Sequence, residues 1–180
     1  MAFNFEAGEV ILIDKPLEWT SFDVVKKIRN AIRLKKIGHA GTLDPLATGL
    51  LILCTGKKTK SIDSYQAQEK EYTGTFVIGS TTPSFDLETE VTTSGDWTAI
   101  TESEIYATAQ AMKGHQQQIP PMYSAVRVDG VRLYTLARKG EEIEIKSRPI
   151  EIVEFEITHI EFPTIGFRIK CSKGTYIRSI

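Results

Sequence analysis

Gly38-His39-Ala40-Gly41-Thr42-Leu43-Asp44-Pro45-Leu46-Ala47-Thr48-Gly49 places one carboxylate on a glycine-rich turn. Gly38 and Gly41 permit backbone angles that other residues resist, and Pro45 keeps Asp44 out of helical geometry, so the acid sits where an element begins and can reach a ligand. Taken alone, an Asp-Pro turn feeding a buried segment accounts for the pattern equally well. The flanks supply that segment: residues 50–54, Leu-Leu-Ile-Leu-Cys, predict a short buried strand, and the apolar run 9–14 before Lys15-Pro16 predicts a strand and its exit. Between them, Thr20 or Ser21 caps a helix that gathers Val25, Ile28 and Ile32 on one side and turns Lys26, Arg29 and Arg33 elsewhere.

The chain has 180 residues, 41% of them hydrophobic and 25% charged, ordinary values for one globular domain. No apolar run approaches the roughly 18 residues that span a bilayer, and the N-terminus lacks the basic start of a signal peptide, so a soluble cytoplasmic protein is expected. Cys54 and Cys171 are too few for a disulfide framework and have no second ligand pair near them, so buried thiols are expected, with no metal. The net charge of -1 hides a segregation. From position 25 to 60 stand Lys26, Lys27, Arg29, Arg33, Lys35, Lys36, Lys57, Lys58 and Lys60 against Asp44 alone, whereas 72–112 holds no Lys or Arg. A positive face able to hold several phosphates follows, and a solvated helix face is the plainer alternative.

Further along, residues 57–66 predict a second basic helix and 70–79 a strand carrying Tyr72. Residues 101–113 predict a helix opened by a Thr101/Glu104 capping box and ended by Gly114. From 140 to 171 the alternation of Ile143 and Ile145, and then of Ile165, Phe167, Ile169 and Cys171, predicts strands, with a bulge where the phase slips between Ile152 and Val153. The fold class expected is mixed α+β, a mostly antiparallel sheet flanked by helices. The irregular stretch 121–148 carries Arg127, Arg132, Arg138, Lys139, Lys146 and Arg148 with Tyr123 and Tyr134, a mixture suited to gripping a folded single strand by phosphate pairing and stacking.

The stretch 38–49 matches G-H-x-G-T-L-D-P-x-A-x-G, and with Asp14-Lys15-Pro16, Lys70-Glu71-Tyr72, Pro120-Pro121-Met122-Tyr123-Ser124-Ala125 and Lys173-Gly174-Thr175-Tyr176-Ile177-Arg178 the chain resembles the TruB-type tRNA pseudouridine synthases along nearly its whole length. It departs at Leu17-Glu18 and at Thr89, where that family commonly has glycine. The resemblance implies a pseudouridine synthase fold over 1–180, with 121–148 as a thumb-like element that closes over RNA. It also implies further helices and commonly a small C-terminal RNA-binding domain, which would make this catalytic domain incomplete at Ile180.

The implied activity is the isomerisation of uridine to pseudouridine at position 55 in the T loop of tRNA. No redox change, cofactor, nucleotide or metal is needed. Asp44 is implied to act at the anomeric carbon or on a neighbouring ribose proton, and Arg178 to pair with it and keep it ionised, with Asp86 behind the guanidinium. Tyr72 is implied to stack on the target base and take part in proton transfer, and His39 to fill the space beside the flipped nucleotide. Lys15 and Tyr176 are secondary candidates for substrate contact, and Lys35, Lys36, Arg127 and Arg132 for the RNA backbone. The partner is tRNA, engaged through its T arm by a protein expected to be monomeric at full length. Two other readings stand beside this one. A dyskerin-like, guide-RNA-dependent synthase shares the motifs, but Met1 lies just upstream of the first strand and leaves no room for that branch's N-terminal extension. A non-catalytic tRNA-binding or RNA-chaperone module would tolerate loss of Asp44, yet Asp44, Tyr72 and Arg178 are all present.

Overall fold

The apolar run before Pro16 forms strand β1 (Val10–Lys15), and the chain then turns into helix α1 (Ser21–Ile32). Thr20 is the N-cap: its hydroxyl accepts the Asp23 amide while the Asp23 carboxylate accepts the Thr20 amide, a reciprocal box that satisfies two amides the helix cannot. This computed structural model describes residues 3–180 except Ala125, Asp129, Arg138, Glu141 and Glu142, and only the backbone of Arg127, Val128 and Arg132. The chain divides into two compact units, Met1–Gln68 and Glu69–Ile180.

In the first unit, β2 (Ile37–His39) and β3 (Gly49–Thr55) join β1 in an antiparallel sheet ordered β1-β3-β2. Val24 and Val25 of α1 pack with Leu51 and Leu53 of β3 as its core. The strand predicted at 50–54 forms, but it is not buried throughout. Leu51 and Leu53 are sealed, while Leu50 stays 62% exposed on the same sheet face as Leu12, 65% exposed. The basic helix predicted at 57–66 is split into a 3-10 segment, Gly56–Ser61, and helix α2 (Ile62–Gln66). Gly41, at φ 106°, adopts the angle only glycine takes readily, whereas Gly38 is ordinary strand and its hydrogen makes room for the Ile62 side chain.

The second unit is built on four antiparallel strands in the order β4 (Lys70–Val77), β11 (Thr164–Cys171), β10 (Arg148–Glu161) and β7 (Gly114–Gln118). They are reached through β4 (Lys70–Val77), the small ladder of β5 (Ser80–Thr81) and β6 (Thr93–Ser94), helix α3 (Glu102–Ala111), and β7 (Gly114–Gln118). Next come the hairpin of β8 (Arg127–Val128) and β9 (Val131–Arg132) and helix α4 (Leu133–Ala137). The long pair β10 (Arg148–Glu161) and β11 (Thr164–Cys171) completes the sheet. Helix α3 opens on the predicted Thr101/Glu104 box. Ile150, Ile152, Phe155, Ile157, Ile165, Phe167 and Ile169 form the core, each contributing roughly 1.5–3 kcal/mol by burial. The predicted phase slip is present as a register shift between Ile152 and Glu154. Among the described residues, 143–147 form no strand where Ile143 and Ile145 predict one. Arg148 pairs with Gln118, so extending that ladder backwards would set 145 and 146 against Pro121 and Pro120, which have no N–H to donate. Cys54 and Cys171 are buried free thiols, both pushed up by burial.

Candidate active site

Asp44 is half-buried between β2 and β3, and the chain is anchored on each side of it. Before it, the Leu43 amide donates to the Ser21 hydroxyl (3.0 Å), which donates back to the Leu43 carbonyl (3.2 Å). After it, the Pro45 carbonyl accepts the Glu18 amide (2.8 Å) and the Lys15 ammonium (3.2 Å). The Ala47 amide closes the turn on the Asp44 carbonyl at 3.0 Å. The proline that excludes helix and the start of α1 together fix where the carboxylate stands, which is what a group aimed at one atom of a substrate requires.

Lys15 is fully buried, and its Nζ donates to the carbonyls of Pro16 (2.9 Å), Trp19 (2.5 Å) and Pro45. Its three donors are spent on backbone, tying the turn before α1 to the turn after Asp44, a bracing role for this secondary candidate for substrate contact. Burial lowers its pKa, while the charge of Asp44 opposes the shift. His39, at the end of β2, donates from Nδ1 to the Gly41 carbonyl, which ties the ring to the same loop. Lys35 and Lys36 are exposed on the turn between α1 and β2, and the Lys36 carbonyl accepts the Gly56 amide at 2.9 Å.

Arg178 lies in a short 3-10 turn, Ile177–Ser179, of the second unit. Its Nη1 donates to the Ser84 carbonyl and the Asp86 carboxylate, each at 3.2 Å, and its Nη2 to the Tyr123 carbonyl at 2.9 Å. With side chains only 12% and 15% exposed, the Arg178–Asp86 pair is a shielded, charge-assisted contact. The structure thus brings together the guanidinium, the acidic loop and the Pro-Pro-Met-Tyr stretch. Asp86 also accepts the Glu88 amide, and Ser84, fully buried, bonds to Thr89, so the acidic loop is tied to itself as well.

Tyr72 sits on β4 opposite Ile169, half-buried against the core cluster. Tyr176 is held by its backbone: its amide donates to Gln118 Oε1 (2.8 Å) and its carbonyl accepts Gln118 Nε2 (2.9 Å), with the Arg148 guanidinium 5.6 Å over its ring. The sequence gives no hint of Gln118, one of three consecutive glutamines, or of Ser84; both position the segment that carries Arg178. Arg127 and Arg132 face each other across the β8–β9 ladder, and their side chains lie outside the described residues, as does Arg138. Among the described residues no group of three or more His, Cys, Asp or Glu could hold a metal ion, and no helix is long and apolar enough to cross a membrane.

The sequence model of the family described as TruB family pseudouridylate synthase (N terminal domain) matches residues 29–177. The chain is 57% identical over 180 residues to a tRNA pseudouridine synthase B of Flavobacterium johnsoniae, covering 96% of this chain and 79% of that one. To the protein of the same name in Phocaeicola vulgatus it is 51% identical over 183 residues, covering 98% and 78%. Among solved structures it is similar to a chain in the crystal structure of a Cbf5-Nop10-Gar1 complex, with a TM-score of 0.71, 29% identity and coverage of 97% of this chain but 42% of that chain. A chain from an H/ACA RNP bound to a substrate RNA containing 2'-deoxyuridine gives 0.67, 26%, 97% and 41%. The chain therefore spans about two fifths of those structural relatives.

Proposed function

The chain belongs to the TruB family of pseudouridylate synthases, and from that premise we propose how its own residues carry out the reaction. It is an isomerase that converts uridine to pseudouridine in tRNA, on the α+β fold of the pseudouridine synthases. In that conversion the C1′–N1 bond breaks, a C1′–C5 bond forms, the C5 hydrogen leaves as a proton and N1 gains one; no electrons enter or leave. The proposal is that the target is uridine 55 in the T loop, flipped out of its stack, with Asp44 acting on the ribose. The observation that carries it is the Asp44 loop, half-buried and anchored through both Leu43 and Pro45, which presents a single carboxylate in a fixed place.

Around it the roles are these. Arg178 supplies the positive charge that keeps Asp44 ionised in a water-poor site, steadied by Asp86. Tyr72 stacks on the base and serves its proton transfers, and His39 holds the space the nucleotide leaves. Tyr176 lines the substrate side. Lys35, Lys36, Arg127 and Arg132 hold phosphates, so most of the affinity is electrostatic and independent of Asp44. Residues 1–180 serve as the catalytic domain, with 121–148 gripping RNA, in a monomer that works in the cytoplasm. Identity of 51–57% to bacterial tRNA enzymes, against 26–29% to the Cbf5 and H/ACA chains, favours a standalone tRNA enzyme over a guide-dependent one.

Tritium release from tRNA labelled at uridine C5 tests the reading. The protein should release tritium, and Asp44→Asn should reduce release at least about 10³-fold while tRNA affinity changes less than about threefold. Turnover by the Asn variant removes Asp44 from the chemistry.

A further inference from the structure

Phe85 stands between the two residues that Arg178 grips. The guanidinium bonds the carbonyl of Ser84 on one side and the carboxylate of Asp86 on the other. The ring between them is nevertheless 55% exposed, and the Phe85 backbone is at φ 60°, left-handed geometry that a bulky residue occupies only under strain. Leu87, two residues on, is 82% exposed. An apolar ring held in strained backbone, on a loop fastened through both of its neighbours and turned to solvent, does nothing for the core.

We propose that Phe85 is a stacking platform for a nucleobase of the substrate RNA next to the target uridine; this rests on the function proposed above. Charge selects a base as the occupant over a phosphate. Asp86, Glu88 and Glu90 lie within five residues of Phe85, and Arg178, the cation bonded to this loop, is already paired with Asp86, so a backbone phosphate would meet a net negative loop there. A base offers a neutral face, and stacking it on Phe85 removes apolar surface from water. The Arg178 clamp then has a second use: it fixes the place of the ring relative to its own guanidinium.

The test separates ring from fold. Phe85→Gly relieves the left-handed strain and Phe85→Asn tolerates it, so both should melt no lower than the parent protein. Each should raise KM for tRNA about tenfold with kcat little changed, and Phe85→Tyr should restore KM. A T-arm hairpin carrying 2-aminopurine in its loop should lose fluorescence on binding the parent and the Tyr variant but not the Gly or Asn variant. Unchanged KM and unchanged quenching in Phe85→Asn overturn the proposal, as does a loss that merely follows a lower melting temperature. Variants that shift the protein's apparent mass while quenching persists mark the ring as a protein contact and overturn it too. A parent protein that releases no tritium from tRNA defeats the function proposed above. The quenching series still decides Phe85 in that case.

Discussion

Two shielded cations each fasten a loop, Lys15 in the first unit and Arg178 in the second, and they do it differently. Lys15 gives its whole ammonium to three carbonyls and is sealed from solvent. Arg178 spreads a planar fork over two carbonyls and a carboxylate, and its side chain keeps 12% exposure. A point charge that bonds only backbone holds a turn in place and lends the neighbouring Asp44 an undirected positive charge. A fork that holds a turn while carrying its own counter-ion keeps a fixed, directed charge at the edge of a site. The first arrangement positions Asp44; the second assembles the environment proposed to act with it.

The sharpest way to break this contrast is Lys15→Met. It retains the apolar stem but leaves the Pro16 and Trp19 carbonyls without the donor they have now, while Pro45 keeps the Glu18 amide. Stability should fall by about 3 kcal/mol, read as a lower urea midpoint. Arg178→Lys comes next: it keeps the charge but cannot span Ser84, Asp86 and Tyr123 together, so turnover should fall about 30-fold, about 2 kcal/mol in the barrier, with a smaller loss of stability. Should it instead lose stability and keep its rate per folded molecule, both cations are braces and the distinction disappears. The smallest effect is in pH. Burial lowers the Lys15 pKa below its ordinary 10.5, so the folded protein binds fewer protons than the unfolded chain between the lowered value and 10.5. Stability in that alkaline window should therefore rise with pH in the parent relative to Lys15→Met. An identical slope in both proteins would show that Lys15 is not desolvated.

Local signals were legible because their causes are local. The box at Thr101 needs only a hydroxyl and a carboxylate three residues apart, and the cap before α1 needs only a hydroxyl, at Thr20; both are present. The alternation through Ile165, Phe167, Ile169 and Cys171 needs only a strand with one buried face. The same alternation at Ile143 and Ile145 misled because a strand also needs a partner able to donate, and Pro120-Pro121 stand where that partner would be. Leu50 misled because an apolar run reports burial without saying which face is covered. At the site, the Asp44 turn could be read from Gly41 and Pro45, whereas the work of Lys15, Ser21, Ser84 and Gln118 could not. Their partners are mostly backbone carbonyls and amides far along the chain, and a backbone group leaves no mark in a sequence.

The extra residue in β10 has a consequence for how this protein can change over time. Before it Ile150 and Ile152 face the core; after it Phe155 and Ile157 do, which turns Glu154 and Glu156 outward to Arg168 on β11, itself bonded to Glu71 on β4. Substitutions along this strand can be absorbed one at a time. Loss of the one codon for Val153 can be absorbed too: Ile150, Ile152, Phe155 and Ile157 then alternate evenly and both carboxylates stay outward towards Arg168, so at this point the lineage is free to vary the strand's count as well as its letters.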